Sequence, residues 1–416
     1  MKNNNINRIN ALYADARGEI FDAPLTAAAR VGNSIVRLKP SELIKLPGSA
    51  DLMFMPDRRA LAFDRRDRIM PLEGNAVAAL LPAGFTRTHL PAFDRSKIKT
   101  PLPLFGYTAV VLYRDELHAA AIYTDENHKW EPGNYNTPEL RQKIKRVRHD
   151  LPNNRIVEQL ARCSLEWHCL TAQNLFYRRW EAGLPTSPTC NARCLGCISL
   201  QQSECCPSPQ SRIQFKPSVE EIAAIGIYHL STASEAIVSF GQGCEGEPTL
   251  AAERIAEAIK LIRSKTPRGQ ININSNAGFT DGLNKIVDAG LDSIRVSIIS
   301  ARAESYDAYY RANYSLDDVK NSIRYALENG VFVSLNLLYF PGFNDRRAEL
   351  DAWLEFLTEF PIQMIQLRNL NIDPDYFLKL MPPSNEKPLG TRQFISTIKN
   401  RFPHIQIGNF SHYTKE

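Results

Sequence analysis

The segment Ser187-Pro-Thr-Cys-Asn-Ala-Arg-Cys-Leu-Gly-Cys197 brings three cysteines close together in the chain. Three residues separate Cys190 from Cys194, and two separate Cys194 from Cys197. Thiolates are the usual ligands of iron–sulfur clusters, and three of them hold three irons of a cubane while the fourth iron stays open. The spacing therefore indicates a cluster with an iron that is available for chemistry.

A zinc site is the alternative interpretation of these cysteines. Structural zinc usually takes four Cys or His ligands in a closed tetrahedron, often from two Cys-x-x-Cys pairs. The segment supplies three cysteines, although Cys205 and Cys206 follow soon after it. We favour the iron–sulfur cluster because the close fourth ligand of the zinc pattern is missing.

The chain after this segment alternates between apolar stretches typical of strands and stretches with helical periodicity. Alternation of this kind implies parallel strands joined by right-handed crossovers, as in a βα barrel. With one strand before Cys190, we expect six βα units, that is, an α/β fold with a partial (βα)6 TIM-like barrel. The predicted strands are 236–240, 270–275, 293–299, 332–338 and 362–367, and the predicted helices are 219–228, 251–263, 316–328, 346–359 and 392–402.

The first predicted strand contains Pro185 and Pro188. Proline is confined to edges and ends of strands, so we expect an open barrel with this strand at its edge. In such barrels the chemistry lies on loops at the carboxyl ends of the strands, where the cysteine segment falls.

The chain before residue 170 has a different character and predicts a β-rich α+β domain. Its clearest element is a hairpin of 105–113 and 117–123 around a turn at 114–116, and a long helix is predicted over 156–180. We therefore divide the chain into an accessory domain (1–170), a core domain (171–380) and a C-terminal helix and strand that complete or cap the barrel (381–416).

Charge and composition leave the substrate open. The net charge is +5 over 416 residues, which gives no strong reason to expect a membrane or nucleic acid partner. A basic helix at 138–150 fits either a site for an anionic substrate or RNA, or a solvated face, and we favour the solvated face. No signal-peptide core and no long apolar span is visible, so we expect a cytoplasmic protein whose eight cysteines stay reduced.

A second motif, Gly241-Gln-Gly-Cys-Glu-Gly-Glu-Pro-Thr-Leu250, follows the next predicted strand. Together, the Cys-x3-Cys-x2-Cys segment and Gly246-Glu247-Pro248 resemble the signatures of the radical S-adenosylmethionine (radical SAM) superfamily. The resemblance implies a barrel of radical SAM type, a [4Fe–4S] cluster on the three cysteines and S-adenosylmethionine as cofactor. In that family the Gly-Glu-Pro loop accepts hydrogen bonds from the methionine ammonium.

Other positions match places where the family binds its cofactor. Ser297 matches the ribose-binding position, and Arg311 is a candidate partner of the cofactor carboxylate, with a surface arginine as the alternative. Asn274, Asn276 and Asn336 are expected either to face the cofactor or to cap strand ends.

The remaining cysteines allow further hypotheses. Cys244 lies inside the cofactor loop and is a candidate radical relay or hydrogen-atom donor, with plain packing as the alternative. A second cluster on Cys163, Cys169, Cys205 and Cys206 is a further hypothesis, weighed against buried structural cysteines. The cysteine-rich C-terminal extension of many peptide-modifying members is absent, because no cysteine follows Cys244.

The resemblance implies an oxygen-sensitive enzyme that cleaves S-adenosylmethionine to a 5′-deoxyadenosyl radical, which abstracts a hydrogen atom from a substrate. A reductant such as a flavodoxin or ferredoxin would supply the electron. The substrate is not encoded in these motifs, and we prefer a peptide or protein. The alternatives are an RNA-modifying member of the superfamily and a non-enzymatic electron carrier or redox sensor whose cluster is closed by Cys205 or Cys206.

Overall fold

The computed structural model describes residues 8–96, 98–125, 128–200 and 208–415, so Cys205 and Cys206 lie outside the described residues. The N-terminal part is β-rich, as predicted. Ten of its strands form one antiparallel sheet, and β7 and β12 form a small second sheet. The strands are β1 (Ile9–Ala14), β2 (Ile20–Val31), β3 (Ser34–Arg37), β4 (Ile44–Lys45), β5 (Asp51–Phe63), β6 (Ile69–Leu80), β7 (Phe85–Arg87), β8 (Leu90–Pro91), β9 (Phe93–Asp94), β10 (Tyr107–Tyr113), β11 (Glu116–Ala119) and β12 (Ala121–Tyr123).

The predicted hairpin is present, with a shorter second strand. β10 and β11 pair antiparallel across Arg114 and Asp115, whose φ angles of 52° and 59° are those of a tight two-residue hairpin turn. The second strand stops at Ala119, and β12 pairs with β7 instead of continuing the hairpin.

The single helix predicted over 156–180 is wrong. After α1 (Leu140–Asp150), the chain forms α2 (Arg155–Glu166), α3 (Leu170–Tyr177) and then the strand β13 (Arg179–Gly183). His168 and Arg178 adopt left-handed backbone angles, which end each helix and reverse the chain. The apolar positions that the sequence assigns to one helix therefore belong to two helices and a strand.

The C-terminal part is built on a curled sheet of seven parallel strands in the order β13 to β19. The further strands are β14 (Ser234–Phe240), β15 (Gln270–Ser275), β16 (Ser293–Ile298), β17 (Phe332–Tyr339), β18 (Met364–Asn369) and β19 (Gln406–Gly408). The helices between them are α4 (Val219–Thr232), α5 (Ala252–Lys265), α6 (Thr280–Asp288), α7 (Ala303–Tyr310), α8 (Leu316–Glu328), α9 (Arg347–Glu359), α10 (Pro374–Leu380) and α11 (Thr391–Arg401).

Two details of the predicted barrel need correction. The first strand, β13, ends at Gly183, so Pro185 and Pro188 lie in the loop after it rather than within it. The strand is at one edge of the sheet, as expected. A seventh strand, β19, pairs in parallel with β18, so the described sheet exceeds six strands. The division into domains at residues 170 and 380 stays a prediction.

Buried charges join the N-terminal sheet to the barrel. Arg58 Nη2 donates to Asp373 Oδ2 at 2.6 Å, and both side chains are nearly fully buried. Arg30 on β2 pairs with Asp375 at 2.7 Å. Gly32 N donates to Pro341 O at 3.0 Å, which seats the β2–β3 turn on a barrel loop. Within the described residues, no helix is long and apolar enough to span a membrane.

Candidate active site

The cysteine segment lies in the loop after β13 and is fixed by backbone hydrogen bonds. Arg193 N donates to Tyr310 O at 2.9 Å, and Leu195 N donates to Tyr309 O at 3.1 Å. The side chains of Cys190, Cys194 and Cys197 are partly exposed. Burial raises the pKa of Cys190 to about 11 and that of Cys194 well above its usual value. Binding of metal as thiolates must therefore release protons.

The Gly-Glu-Pro loop after β14 packs directly on the cysteine segment. Gly246 N donates to Ser187 O at 2.7 Å, and Glu247 N donates to Thr189 O at 2.8 Å. A Cβ atom at position 246 would lie 2.0 Å from Thr189 O, so only glycine permits this approach. The glycine of the motif is thus explained by the contact between the two loops.

Two buried glutamates tie this loop to its neighbours. Glu245 Oε2 accepts from Thr186 N at 2.7 Å and from Ser187 N at 2.9 Å. Glu247 Oε1 accepts from Ser275 Oγ at 2.6 Å, and its Oε2 accepts from Asn276 N at 2.9 Å. Burial raises the pKa of Glu245 to about 7 and also raises that of Glu247. Both carboxyl groups therefore hold the loop in place.

These loops enclose a cavity of about 310 Å³, which lies at the lower end of the range of ligand pockets. It contains most of the residues that the sequence selected: the lining includes Cys190, Cys194, Cys197, Gly246, Glu247, Asn274, Asn276, Ser297 and Asn336. Within the described residues, no set of three or more His, Cys, Asp or Glu side chains is arranged to hold a single metal ion.

Unpartnered polar atoms in this cavity fit a bound polar cofactor. Asn274 Nδ2, Asn336 Oδ1 and Tyr310 Oη are buried and make no hydrogen bond with the described residues. All three residues line the cavity. Buried polar groups normally have partners because leaving one unsatisfied costs about 1–3 kcal/mol. The cavity therefore offers donors and acceptors that have no partner among the described residues.

The side chains of Asn276 and Ser297 have hydrogen-bond partners within the protein, whereas Asn274 Nδ2 and Asn336 Oδ1 have none among the described residues. The amide of Asn276 donates to Asn191 Oδ1 at 2.7 Å and accepts from Gly278 N at 2.9 Å, so it acts as a loop brace. Ser297 Oγ accepts from Asn336 Nδ2 at 3.3 Å and keeps its own proton for a ligand.

Two of the candidate cofactor residues lie apart from the cavity lining. Pro248 is buried at the start of a short 3-10 helix, where it begins the turn that leads into α5. Arg311 is exposed at the C-terminal cap of α7 in a left-handed conformation, which matches the surface alternative. The lining of the cavity includes neither residue.

Cys244 faces away from the cavity and packs against α2. It is buried within the main hydrophobic core, and its thiol lies close to the thiol of Cys163. That contact lowers the pKa of Cys163 and raises that of Cys244. Cys169 lies nearby, with its backbone N donating to Cys163 O at 3.1 Å. The structure therefore brings Cys163, Cys169 and Cys244 together, and the other two cysteines of the second-cluster hypothesis lie outside the described residues.

Sequence analysis missed several charged residues of the cavity. Arg295 on β16, Arg368 on β18 and Arg212 line it, and Glu181 on β13 lies close to both barrel arginines. Arg212 Nη2 donates to Ser199 Oγ at 3.0 Å and lies 3.8 Å from Cys197 Sγ. Arg295 sits two residues before Ser297, so alternation along the strand already indicated that both face the barrel.

The basic helix α1 shows features of a solvated face. It buries Leu140, Ile144 and Val147 on one side. On the other side, Arg148 pairs with Glu158 at 2.6 Å, and both side chains are largely exposed.

The sequence of this region matches a known family. Residues 184–354 match the model of the Radical SAM superfamily. The matched segment contains the cysteine segment, the Gly-Glu-Pro loop and the strands β14 to β17. These residues are therefore similar to the domain shared by radical SAM enzymes, and the match covers less than half of the chain.

Solved structures of such enzymes resemble the chain at low identity. A structure described as native anSMEcpe with bound AdoMet shares 13% identity over 45% of this chain and 51% of its own, with a TM-score of 0.36. A radical SAM methyltransferase from Sphaerobacter thermophilus shares 13% over 56% of this chain and 67% of its own, with a TM-score of 0.41. SuiB of Streptococcus suis, bound to precursor peptide SuiA, shares 11% over 62% and 54%, with a TM-score of 0.40.

The chain thus spans about half the length of the first of these structures. No curated protein matches the chain. Similarity at this level leaves the substrate open.

Proposed function

We propose that the protein reductively cleaves S-adenosylmethionine at a [4Fe–4S] cluster held by Cys190, Cys194 and Cys197, giving a 5′-deoxyadenosyl radical that removes a hydrogen atom from a substrate. One observation carries the proposal: the three cysteines, the Gly-Glu-Pro loop and unpartnered buried amides line a single cavity. A cavity with unsatisfied donors and acceptors beside an open iron is what a chelated cofactor requires.

The protein's own residues position and shield the cofactor in this proposal. Asn274 Nδ2 donates to it, while Asn336 Oδ1 accepts from it, because neither atom has another partner among the described residues. Ser297 Oγ donates to the ribose. The carboxylate of Glu247 ties the loop to the end of β15 and so keeps the loop in place beside the cysteine segment.

The electron would come from a reductant such as a flavodoxin or ferredoxin. The competing hypothesis of a closed-cluster electron carrier requires no such cavity, because its four irons are all held by protein. The RNA hypothesis rests on α1 alone, and the exposed pair of Arg148 with Glu158 accounts for part of that charge.

The test is anaerobic. The protein is reconstituted with iron and sulfide, reduced with dithionite and mixed with S-adenosylmethionine, and 5′-deoxyadenosine is measured by chromatography. We expect 5′-deoxyadenosine from the unchanged protein and none from Cys194→Ala. Cys169→Ala is the matched control, because Cys169 is not part of the cavity lining. An intact cluster that forms no 5′-deoxyadenosine would overturn the proposal.

A further inference from the structure

Two arginines from different strands line the wall of the cavity. Arg295 and Arg368 project from β16 and β18, the strands on either side of β17, and both line the same cavity as the cysteines. Burial, and after it the positive charge of Arg295, lowers the pKa of Arg368 to about 10. The two positive charges therefore repel each other, and this repulsion is unfavourable unless a bound anion offsets it.

Neither arginine has an ionic partner among the described residues. Arg295 Nη1 donates to Gln366 Oε1 at 3.2 Å and to Ser411 Oγ at 3.0 Å, and its Nε is buried without an acceptor. Arg368 Nη1 donates to Asn409 O at 2.5 Å. All three of these partners are neutral. A guanidinium out of bulk water is normally matched by a carboxylate, so this pair lacks its counter-charge.

Glu181, the carboxylate whose charge acts on both arginines, already accepts hydrogen bonds from other residues. Glu181 Oε1 accepts from Ser239 Oγ at 2.7 Å and from Gln242 Nε2 at 3.3 Å. Its negative charge acts on both arginines but forms no ion pair with either within the described part of the chain. The three groups together carry one net positive charge. A ligand with a single negative charge would match the net charge of these three groups.

We propose that the cavity binds a substrate through one carboxylate group, which Arg295 and Arg368 hold together. The planar forks of two guanidiniums match the two oxygens of a carboxylate. This inference rests on the proposed function, which assigns the amino acid group of S-adenosylmethionine to the open iron. The carboxylate then anchors the substrate while its reacting carbon faces the cofactor.

The first experiment measures anion binding to the reconstituted protein by calorimetry, with S-adenosylmethionine present. N-acetylglycine presents an α-carboxylate, as at the end of a peptide, and N-acetylglutamic acid α-amide presents a side-chain carboxylate. N-acetylglycinamide is the neutral control, and inorganic phosphate is the dianion control. We expect binding of at least one monocarboxylate, tighter than that of phosphate, and none of the neutral amide. The stronger of the two carboxylates identifies the source. Absence of carboxylate binding would overturn the inference.

Variants then locate the site. Losing one charge-assisted hydrogen-bond partner is expected to weaken carboxylate binding ~10- to 100-fold in Arg295→Gln and in Arg368→Gln. Glu181→Gln should strengthen it and let phosphate bind as well, which a purely structural role of Glu181 would not produce. Arg347→Gln, an exposed arginine of α9, should leave binding unchanged.

The same variants separate this inference from the proposed function. In Arg295→Gln and Arg368→Gln, we expect binding of the carboxylate to weaken more than binding of S-adenosylmethionine. If they instead lose binding of S-adenosylmethionine, the arginines serve the cofactor and the inference is wrong while the function stands. If the unchanged protein forms no 5′-deoxyadenosine, the proposed function itself fails.

Discussion

Two arginines at the junction between the N-terminal sheet and the barrel differ in their partners from two arginines of the barrel interior. At the junction, Arg58 meets Asp373 at 2.6 Å, and Arg30 meets Asp375 at 2.7 Å. In the barrel, Arg295 and Arg368 meet neutral acceptors. These two junction arginines each have a carboxylate partner, whereas neither barrel arginine has one among the described residues. We therefore expect Arg58 and Arg30 to stabilise the fold, and Arg295 and Arg368 to contribute little to its stability.

Breaking a junction pair should have the largest effect. Arg58→Met leaves Asp373 buried without its cation and also removes the donors to Pro56 O and Thr100 O. Removing one partner of a buried ion pair typically costs ~3–5 kcal/mol. We expect a loss of that size in the free energy of unfolding, measured with urea. A loss below ~1 kcal/mol would contradict the structural role given to this pair.

Glu245 is a buried carboxyl group that accepts hydrogen bonds from N–H and O–H donors, whereas the junction carboxylates pair with a guanidinium. Its pKa is raised from 4.5 to about 7 by burial. The folded protein thus binds a proton that the unfolded chain releases, so its stabilising contribution is full below pH 4.5 and is lost as the pH rises through about 7.

The pH dependence gives the measurement. Between these two values the free energy of unfolding should fall by ~3 kcal/mol from this group. In Glu245→Gln that part of the slope should vanish. A variant with the same slope as the unchanged protein would show that Glu245 does not titrate in this range.

Gly342→Ala tests the docking of the β2–β3 turn. Its φ is +85°, and an added Cβ would lie 2.0 Å from Gly32 N. Overpacking of this kind costs ~1–3 kcal/mol, beyond the ~1–2 kcal/mol of left-handed strain. Gly330→Ala is the matched control, because its φ is +71° and nothing lies near the added Cβ. Equal losses of unfolding free energy in the two variants would show that the contact itself contributes nothing.

The smallest effect is expected in the barrel. Arg295→Met removes a charge with no ionic partner among the described residues, so no carboxylate is left unpaired. We expect the free energy of unfolding of the ligand-free protein to change by less than ~1 kcal/mol, or to rise. A loss as large as that of Arg58→Met would mean that Arg295 is structural.

Sequence alone could predict the radical SAM domain because both motifs lie in one continuous stretch of the chain. The cysteine spacing and Gly246-Glu247-Pro248 need no tertiary information, and strands β14 to β18 alternate regularly with helices. The first strand was misplaced because left-handed angles at His168 and Arg178 interrupt a helical pattern.

The partners of the charged side chains could not be predicted from the sequence. Whether Arg58 or Arg295 has a carboxylate partner depends on residues far apart in the chain, such as Asp373 for Arg58. Glu181 was hidden because its strand, β13, begins within the segment predicted as a helix. The sequence singled out Cys244 because it lies in the Gly-Glu-Pro loop. Only the structure shows that its side chain contacts Cys163 on α2 and does not line the cavity.

The central claim is that Cys190, Cys194 and Cys197 hold a [4Fe–4S] cluster with one open iron in this cavity. Electron paramagnetic resonance of the reduced, reconstituted protein tests it most directly, with and without S-adenosylmethionine. We predict that S-adenosylmethionine changes the spectrum of the reduced cluster, because it binds the open iron. A cluster whose spectrum is the same in both samples would have no open iron and would contradict the account.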